Sequence, residues 1–210
     1  MYTMITAHSG CDGTPDNSLE FVKHALSCGA DAFEIDVRCR GGRLFMSHDE
    51  TDLECPGLDE VFRLMQGSSM KINCDLKEPG LEEAVLALAE QLGVWDQVLF
   101  SGDVSIGKMA ADEIIRRKTL LNIDPLVGKV TPEELDERLE ELVEGCRRCG
   151  AWCINIHYGR CTEKLMKRMK EAGILISAWT VNKEDVARRL LDEGIYNITS
   201  RAPGMVMKLR

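Results

Sequence analysis

The sequence predicts an α/β fold, and two patterns carry that prediction. Short apolar segments rich in β-branched residues alternate with amphipathic segments of helical periodicity along the 210 residues. Eight such strand–helix units fit a (β/α)8 barrel, the TIM barrel, at the short end of its size range. A doubly wound open sheet is the alternative, because counting strands does not prove that a sheet closes. No Pro-, Gly- or Ser-rich linker divides the chain, so we expect a single domain over residues 1–210.

Turn and capping residues set the boundaries of the predicted elements. The predicted strands cover residues 5–8, 32–37, 71–76, 98–101, 119–123, 152–157, 175–180 and 197–200. Thr131-Pro132 with Glu134 predicts a helix that begins with a capping box. Gly41-Gly42, between two short apolar runs, predicts a short hairpin-like insertion after the second strand.

Composition restricts the class of partner. Lys and Arg total 26 against 35 Asp and Glu, and the net charge of −9 argues against nucleic acid and anionic membrane surfaces. No apolar stretch approaches roughly 18 residues, so we expect no membrane anchor, no signal peptide and a cytoplasmic location. An acidic protein that binds an anionic small molecule needs a bound cation or a placed Lys or Arg. The sequence predicts no particular oligomeric state.

The nine cysteines do not resemble a disulfide framework, because their number is odd and their spacing is irregular. The densest group is Cys146, Cys149 and Cys153, with Cys161 beyond it, and one interpretation is a zinc or iron–sulfur site. The alternative is that they pack as small apolar side chains at a helix end and in a strand. The sequence favours the alternative, since no second pair with the same spacing accompanies the first.

Polar side chains gather where the predicted strands end. In strand order they are His8, Glu34 and Asp36, Asp75 and Lys77, Ser101 and Asp103, Asn122 and Asp124, Asn155 and His157, Thr180 and Asn182, and Ser200 and Arg201. In a barrel these ends meet at one rim, where barrel enzymes carry out their chemistry. Loops begin at the same rim, so some polarity is expected in any case. The excess of His, Asp, Glu and Lys indicates a site.

Acidic residues on two strands point to a metal ion. Glu34 and Asp36 alternate along one apolar strand, so their side chains share a face and lie roughly 7 Å apart. Burying both is costly unless a cation compensates them. Asp75 on the next strand would complete an oxygen site for a divalent cation, Mg²⁺ or Ca²⁺. The alternative is a solvated strand end whose carboxylates pair with Lys or Arg.

Two histidines and a lysine stand near these carboxylates. His8 and His48 both follow apolar runs, and either alone could be a structural histidine. Together on one rim they suit acid–base catalysis near pH 7. Lys77 faces the same way as Asp75 and is either its ion-pair partner or an anion-binding lysine.

Several motifs, in order along nearly the whole chain, carry a family resemblance. They are Ala7-His8-Ser9-Gly10, Pro15-Asp16-Asn17-Ser18-Leu19, Gly29-Ala30-Asp31, Glu34-Ile35-Asp36-Val37, His48-Asp49, Pro56-Gly57-Leu58-Asp59-Glu60-Val61, Asp75-Leu76-Lys77 and Trp179-Thr180-Val181-Asn182. Together they resemble the glycerophosphodiester phosphodiesterase family. Its pattern runs His-Arg-Gly, Pro-Glu-Asn-Thr-Leu, Gly-Ala-Asp, Glu-x-Asp-Val, His-Asp, Pro-x-Leu-x-Glu-Val, Glu-x-Lys and Trp-Thr-Val-Asn.

The resemblance implies a TIM barrel of lipid metabolism that hydrolyses a glycerophosphodiester with a divalent cation, giving glycerol phosphate and an alcohol. The implied site consists of the metal ligands Glu34, Asp36 and Asp75, the acid–base pair His8 and His48, and the substrate-binding residues Lys77, Trp179 and Asn17. Which histidine is the acid stays open. The attacking oxygen is either water or a neighbouring hydroxyl group of the substrate.

Four departures from the family pattern concern the substrate. Ser9 stands where the family has Arg, which removes a bidentate phosphate ligand. Asp75 replaces a Glu, residues 199–201 lack the usual acidic group, and the excursion after the His-Asp motif is short. We expect Arg38, in phase with Glu34 along its strand, to supply the missing positive charge. The departures also leave an alternative function, a barrel that binds a phosphorylated ligand without turnover.

Overall fold

Nine strands form one sheet in the computed structural model, which describes residues 2–210. The strands are β1 (Met4–Ala7), β2 (Ala32–Arg40), β3 (Arg43–Met46), β4 (Lys71–Leu76), β5 (Val98–Gly102), β6 (Leu121–Asn122), β7 (Cys153–His157), β8 (Leu175–Trp179) and β9 (Asn197–Ser200). β3 pairs with β2 in the antiparallel direction. The other eight strands lie side by side in the order β5-β4-β2-β1-β9-β8-β7-β6.

Helices connect the successive parallel strands. They are α1 (Leu19–Ser27), α2 (Leu58–Met65), α3 (Glu82–Gln91), α4 (Ile106–Ala111), α5 (Glu113–Lys118), α6 (Asp124–Val127), α7 (Pro132–Glu137), α8 (Leu139–Cys149), α9 (Glu163–Ala172), α10 (Glu184–Asp192) and α11 (Pro203–Leu209). The capping box predicted at the start of α7 is confirmed, because Thr131 and Glu134 exchange side chain–backbone hydrogen bonds.

The two ends of the strand order meet, so the sheet is a nearly closed barrel. Phe100 of β5 forms a parallel bridge with Thr119, two residues before β6. The amide of Leu120 then donates a hydrogen bond to the carbonyl of Phe100 at 2.8 Å. The predicted (β/α)8 barrel is therefore confirmed, and the open-sheet alternative is wrong.

The predicted hairpin after the second strand is confirmed. β2 runs on to Arg40, beyond the predicted end at residue 37, and Arg40 lies opposite Arg43 of β3. The turn between them is Gly41-Gly42, with φ angles of 57° and 82°. Two-residue hairpin turns of this kind need positive φ at both positions, which glycine adopts without a Cβ clash. The hairpin brings the chain back to the carboxyl end of β2.

Apolar side chains fill two separate regions. The larger one lies between the outer face of the barrel and the helices, and it contains four fully buried phenylalanines. The smaller one consists of Met4, Ala32 and Leu99, with Tyr196 packed against it. Ala32 and Glu34 share a face of β2, so this small cluster lies inside the barrel, below the predicted site.

A hydrogen-bonded belt of buried polar side chains crosses the barrel interior above that cluster. The amide of Asn197 donates to Ser177 Oγ at 2.8 Å and to Thr199 Oγ1 at 3.2 Å. Its carbonyl accepts a hydrogen bond from the Thr6 hydroxyl at 2.7 Å. Ser177 in turn donates to Asn155 Oδ1 at 2.8 Å. The belt satisfies these polar groups and forms a polar floor under the rim.

We expect Asn197→Ala to lower the free energy of unfolding by about 3 kcal/mol, because it leaves the buried Thr6 hydroxyl without its acceptor and removes the hydrogen bonds that Ser177 and Thr199 accept from Asn197. Urea unfolding followed by circular dichroism would measure the loss. The control is Gln91→Ala at the exposed end of α3, where a change within about 0.5 kcal/mol is expected. A loss below about 1 kcal/mol for Asn197→Ala would show that the belt relaxes around the gap.

The cysteines are unpaired, and Cys146 and Cys149 are buried in α8. Burial raises the pKa of the Cys146 thiol to about 12, so the thiol stays protonated at neutral pH. Among residues 2–210, some acidic, thiol and imidazole groups lie close enough together to share a metal ion. None of these groups belongs to Cys146, Cys149, Cys153 or Cys161. These cysteines therefore pack as small apolar side chains.

None of the helices in residues 2–210 is long enough and apolar enough to span a lipid bilayer.

Candidate active site

A cavity of about 370 Å³ opens at the carboxyl ends of the parallel strands. Its lining comprises His8, Asp16, Asn17, Glu34, Asp36, His48, Asn73, Asp75, Lys77, Ser101, Asn122, Asn155, Trp179, Thr180, Thr199 and Arg201. The strand ends of a barrel converge at this face, so side chains from distant parts of the sequence meet here. Of the predicted site residues, Arg38 alone does not contribute to this lining.

Three carboxylates gather on one side of the cavity. Strand register places Asp36 of β2 beside Asp75 of β4, and Glu34 lies one layer deeper on the same face. Each of the three offers a carboxylate oxygen within 4.8 Å of the others. Burial, and then the charges of Asp75 and Asp36, raise the pKa of Glu34 well above its usual range. The group can therefore hold a metal ion, and without one its negative charges repel.

Lys77 partly neutralises the cluster. Its ammonium group lies 2.8 Å from Asp36 Oδ1 and also bonds to Asp75 Oδ2. Burial lowers the pKa of Lys77, but the two carboxylates outweigh burial and raise it overall. The lysine therefore stays charged, with two of its three donors directed at carboxylates.

The residues of the cluster fit a divalent cation. With all three carboxylates ionised, as metal ligands would be, the cluster and the ammonium group carry a charge of −2, which a divalent ion would balance. Asn73 lies beneath Asp75 on β4, and its Oδ1 is buried without a hydrogen-bond partner. A buried carbonyl oxygen without a partner is costly, and a hard cation or its bound water would satisfy it. The donors are all oxygens, as Mg²⁺ and Ca²⁺ prefer.

Asn17 positions the carboxylate cluster from the loop before α1. Its amide donates to Asp36 Oδ2 at 2.7 Å, and its Oδ1 accepts from the backbone amide of Asp36 at 3.0 Å. The φ angle of Asn17 is 48°, a left-handed conformation that asparagine tolerates better than most residues. Ser9 Oγ fixes this turn by accepting the Asn17 amide at 2.6 Å, and the Ser9 amide donates to Glu34. Ser9 therefore helps to hold both Asn17 and Glu34 in position.

His8 lies at the end of β1, next to Glu34. Its Nδ1 is 2.8 Å from the carbonyl oxygen of Ser9, which can only accept, so Nδ1 carries a proton. Its Nε2 lies 3.8 Å from Glu34 Oε2. Burial lowers the pKa of His8, the hydrogen bond to Ser9 opposes this, and the positive charge of Arg201 lowers it further. The neutral ring thus presents an unprotonated Nε2 to the cavity.

His48 reaches the cavity from the loop after the hairpin. The amide of Ser47 donates to the carbonyl of Asp36 at 3.2 Å, which holds the loop against β2. His48 Nδ1 lies 2.8 Å from Asp49 Oδ1, and 69% of the side chain is exposed. Asp49 therefore orients the ring through Nδ1, which leaves Nε2 available on the other side of the ring.

Of the last two predicted site residues, Trp179 lines the cavity and Arg38 does not. Trp179 at the end of β8 lines the cavity, with its ring in edge contact with His157 at 5.6 Å between centroids. Arg38 instead donates from Nε to the carbonyl of His48 at 3.1 Å, and its Nη1 lies 3.7 Å from Glu78. Although Arg38 is in phase with Glu34 along β2, the hairpin draws its side chain to the His48 loop. Arg38 therefore holds that loop rather than facing the cavity.

Sequence reasoning assigned no role to Asp16, Asn73 or Arg201, which also line the cavity. Asn73 could have been found, because it shares a strand face with Asp75 and Lys77. Arg201 was recognised only as a residue that follows the last strand. Its direction depends on the packing of β9 beside β1, which local sequence does not reveal.

No protein-family model matches the chain. The chain is nevertheless similar over its whole length to a glycerophosphodiester phosphodiesterase of Caldanaerobacter subterraneus subsp. tengcongensis, with 24% identity, covering 100% of this chain and 98% of the relative.

Solved structures of proteins so described have the same fold. A glycerophosphodiester phosphodiesterase from Thermotoga maritima superimposes with a TM-score of 0.73 at 22% identity, covering 100% of this chain and 99% of that one. An Oleispira antarctica phosphodiesterase in complex with the product sn-glycerol-3-phosphate gives a TM-score of 0.71 at 23% identity, covering 98% and 96% of the two chains. This chain is thus a TIM barrel that is similar in sequence and in fold to glycerophosphodiester phosphodiesterases, as its sequence motifs predicted.

Proposed function

We propose that the protein hydrolyses glycerophosphodiesters with a divalent cation, releasing a glycerol phosphate and an alcohol. One observation carries the proposal: three carboxylates, two histidines and a lysine line a single cavity at the catalytic rim of the barrel. The similar Caldanaerobacter protein is named a glycerophosphodiester phosphodiesterase, and one structural neighbour is in complex with the product sn-glycerol-3-phosphate, which supports this substrate class.

The environments of the two histidines support different roles. His8 keeps its proton on Nδ1, so its Nε2 is free to remove a proton from the attacking oxygen. His48 is exposed and paired with Asp49, so it is suited to protonate the departing alkoxide. The attacking oxygen belongs to water or to a neighbouring hydroxyl group of the substrate, and either is compatible with His8 as the base.

The carboxylate side of the cavity would hold the metal. Glu34, Asp36 and Asp75 are the proposed ligands, and a bound divalent cation would polarise a phosphoryl oxygen of the substrate. Asn17 orients Asp36 through two hydrogen bonds. Lys77 keeps its positive charge beside the phosphate position, and Trp179 offers an apolar face to the alcohol.

We expect purified protein to release glycerol phosphate from a glycerophosphodiester in the presence of Mg²⁺ or Ca²⁺, and to lose this activity on addition of EDTA. Excess cation should restore the rate, because the −2 charge of the cluster favours rebinding. A coupled assay for glycerol phosphate would measure it. Activity unaffected by EDTA would contradict the metal assignment. Binding of phosphate without any turnover would favour the alternative, a barrel that retains a ligand but not the reaction.

A further inference from the structure

The lining of the cavity includes a second cation that the proposed chemistry has not used. Among the lining residues described in the structure, the permanently charged bases are Lys77 and Arg201. Lys77 is largely buried and directs two donors at the carboxylates of Asp36 and Asp75. Those two contacts leave Lys77 one donor for a phosphodiester anion, so a second cation would strengthen anion binding. Arg201 stands on the other side of His8.

The backbone of Arg201 is held firmly where β9 ends. Its amide donates to Asn182 Oδ1 at 2.9 Å. Its carbonyl accepts a hydrogen bond from the amide of Asp12 at 2.9 Å. Asn182 therefore fixes the β9 end rather than capping a helix, and α10 begins without a side-chain cap. These bonds place the root of the arginine side chain beside the loop that follows His8.

The guanidinium group has one carboxylate partner and space to reach a ligand. Its Nη2 lies 2.8 Å from Asp16 Oδ1, and the two side chains are 45% and 55% exposed. Ion pairs this exposed contribute little, so Asp16 orients the guanidinium without competing strongly for it. With five N–H donors, the group keeps donors free for phosphate oxygens after pairing with Asp16.

Gly10 makes this approach possible. Its φ angle is 76°, and a Cβ at this position would lie 2.2 Å from Asp16 Oδ1 and 3.1 Å from Arg201 Nη1. A side chain here would displace the pair from the loop. The closeness also has an electrostatic effect, because the charge of Arg201 contributes to the lowered pKa of His8. Arg201 and His8, the proposed catalytic base, line the same cavity.

We propose that Arg201, oriented by Asp16, binds the phosphate oxygens of the substrate on the β9 side of His8, whereas the carboxylate cluster lies on the β2 side. The assignment rests on the proposed function for its substrate class. It places one cation, Lys77, beside the carboxylate cluster and a guanidinium group capable of bidentate bonding at the end of β9, and such guanidinium groups recognise phosphate well. Arg38, which contacts the His48 loop, leaves this role to Arg201.

Isothermal titration calorimetry with inorganic phosphate and with sn-glycerol 3-phosphate, in the presence of Mg²⁺, tests the assignment without requiring turnover. We expect Arg201→Ala to raise both dissociation constants by ~10- to 100-fold, and Arg201→Lys to recover part of the loss. The matched control is Arg63→Ala, because Arg63 also pairs with a single carboxylate, Asp59, on the surface of α2. Its dissociation constants should equal those of the wild type.

The outcomes separate this proposal from the hydrolase proposal. Weakened phosphate binding in Arg201→Ala supports the assignment even if the wild type hydrolyses no diester, in which case only the hydrolase proposal fails. Unchanged affinity in Arg201→Ala would overturn the assignment, as would a wild type that binds neither ligand. Loss of phosphate affinity in Arg38→Ala but not in Arg201→Ala would also overturn the assignment, because it would make Arg38 the phosphate ligand. Circular dichroism of each variant checks that the fold is retained.

Discussion

Turnover of a glycerophosphodiester is expected to fall by ~10²-fold or more when His48 is replaced by alanine, and by a similar factor for His8→Ala. Each substitution removes one proton-transfer group and leaves the carboxylate cluster in place. His48 is largely exposed, so His48→Ala should fold as the wild type does. Steady-state rates at saturating substrate and cation would measure the effect.

His24→Ala is the matched control for both variants. His24 lies on α1 and pairs with Asp12 at 2.9 Å, but it does not line the cavity. Its turnover should equal that of the wild type. Undiminished rates in both His8→Ala and His48→Ala would contradict the acid–base assignment, whereas a loss in only one would restrict it to that residue.

Glu34→Gln is expected to abolish the response to metal and at the same time to stabilise the metal-free protein. The wild type should gain ~5–11 °C in Tm at a cation concentration about 100 times Kd, and the variant should gain almost nothing. Glutamine keeps an oxygen that can accept the Ser9 amide, so the fold is preserved. Differential scanning fluorimetry with EDTA or with Mg²⁺ would measure both effects.

The stabilising effect should depend on pH in a defined direction. Burial and the neighbouring carboxylates raise the folded-state pKa of Glu34 above its unfolded value. Its contribution to stability is therefore fully present below the unfolded pKa and is lost as pH rises through the folded pKa. In EDTA, Glu34→Gln should raise Tm by ~2–6 °C at pH 8 and make little difference near pH 4.

Glu82→Gln is the control for the metal response. Glu82 is a fully buried carboxylate that accepts the Ser105 amide at 2.9 Å and pairs with Lys108, away from the cavity lining. This variant should be less stable than the wild type but should keep its Tm gain with Mg²⁺. A gain retained in Glu34→Gln would remove Glu34 from the proposed ligand set.

Sequence reasoning succeeded where the signal was local. The strands β4 and β9 were predicted to the residue, because apolar β-branched runs bounded by polar residues define them. The grouping of Glu34 with Asp36 followed from the two-residue period of a strand. The hairpin followed from Gly41-Gly42, and the return of His48 followed from the hairpin.

Sequence reasoning fell short where one segment depends on another far along the chain. Asn17 is predicted to bind substrate and lines the cavity, but its two hydrogen bonds to Asp36, through its amide and its carbonyl, are visible only in the structure. The belt around Asn197 joins β1, β7, β8 and β9, and no local sequence pattern predicts it. Hydrogen bonds of this kind exist only after the strands have been placed side by side.

The sequence by itself determined the alternation of strands and helices, the order of the strands along the chain and the residue types at their ends, because periodicity and capping are local properties. Closure of the sheet into a barrel was decided by the pairing of Phe100 with Thr119. Only the tertiary structure decided which cation faces the cavity. Arg38 and Arg201 are equally charged, but the hairpin turns Arg38 to the His48 carbonyl, while the pairing of β9 with β1 brings Arg201 beside the His8 loop. Side-chain direction at a rim is set by contacts between strands that the chain brings together only on folding.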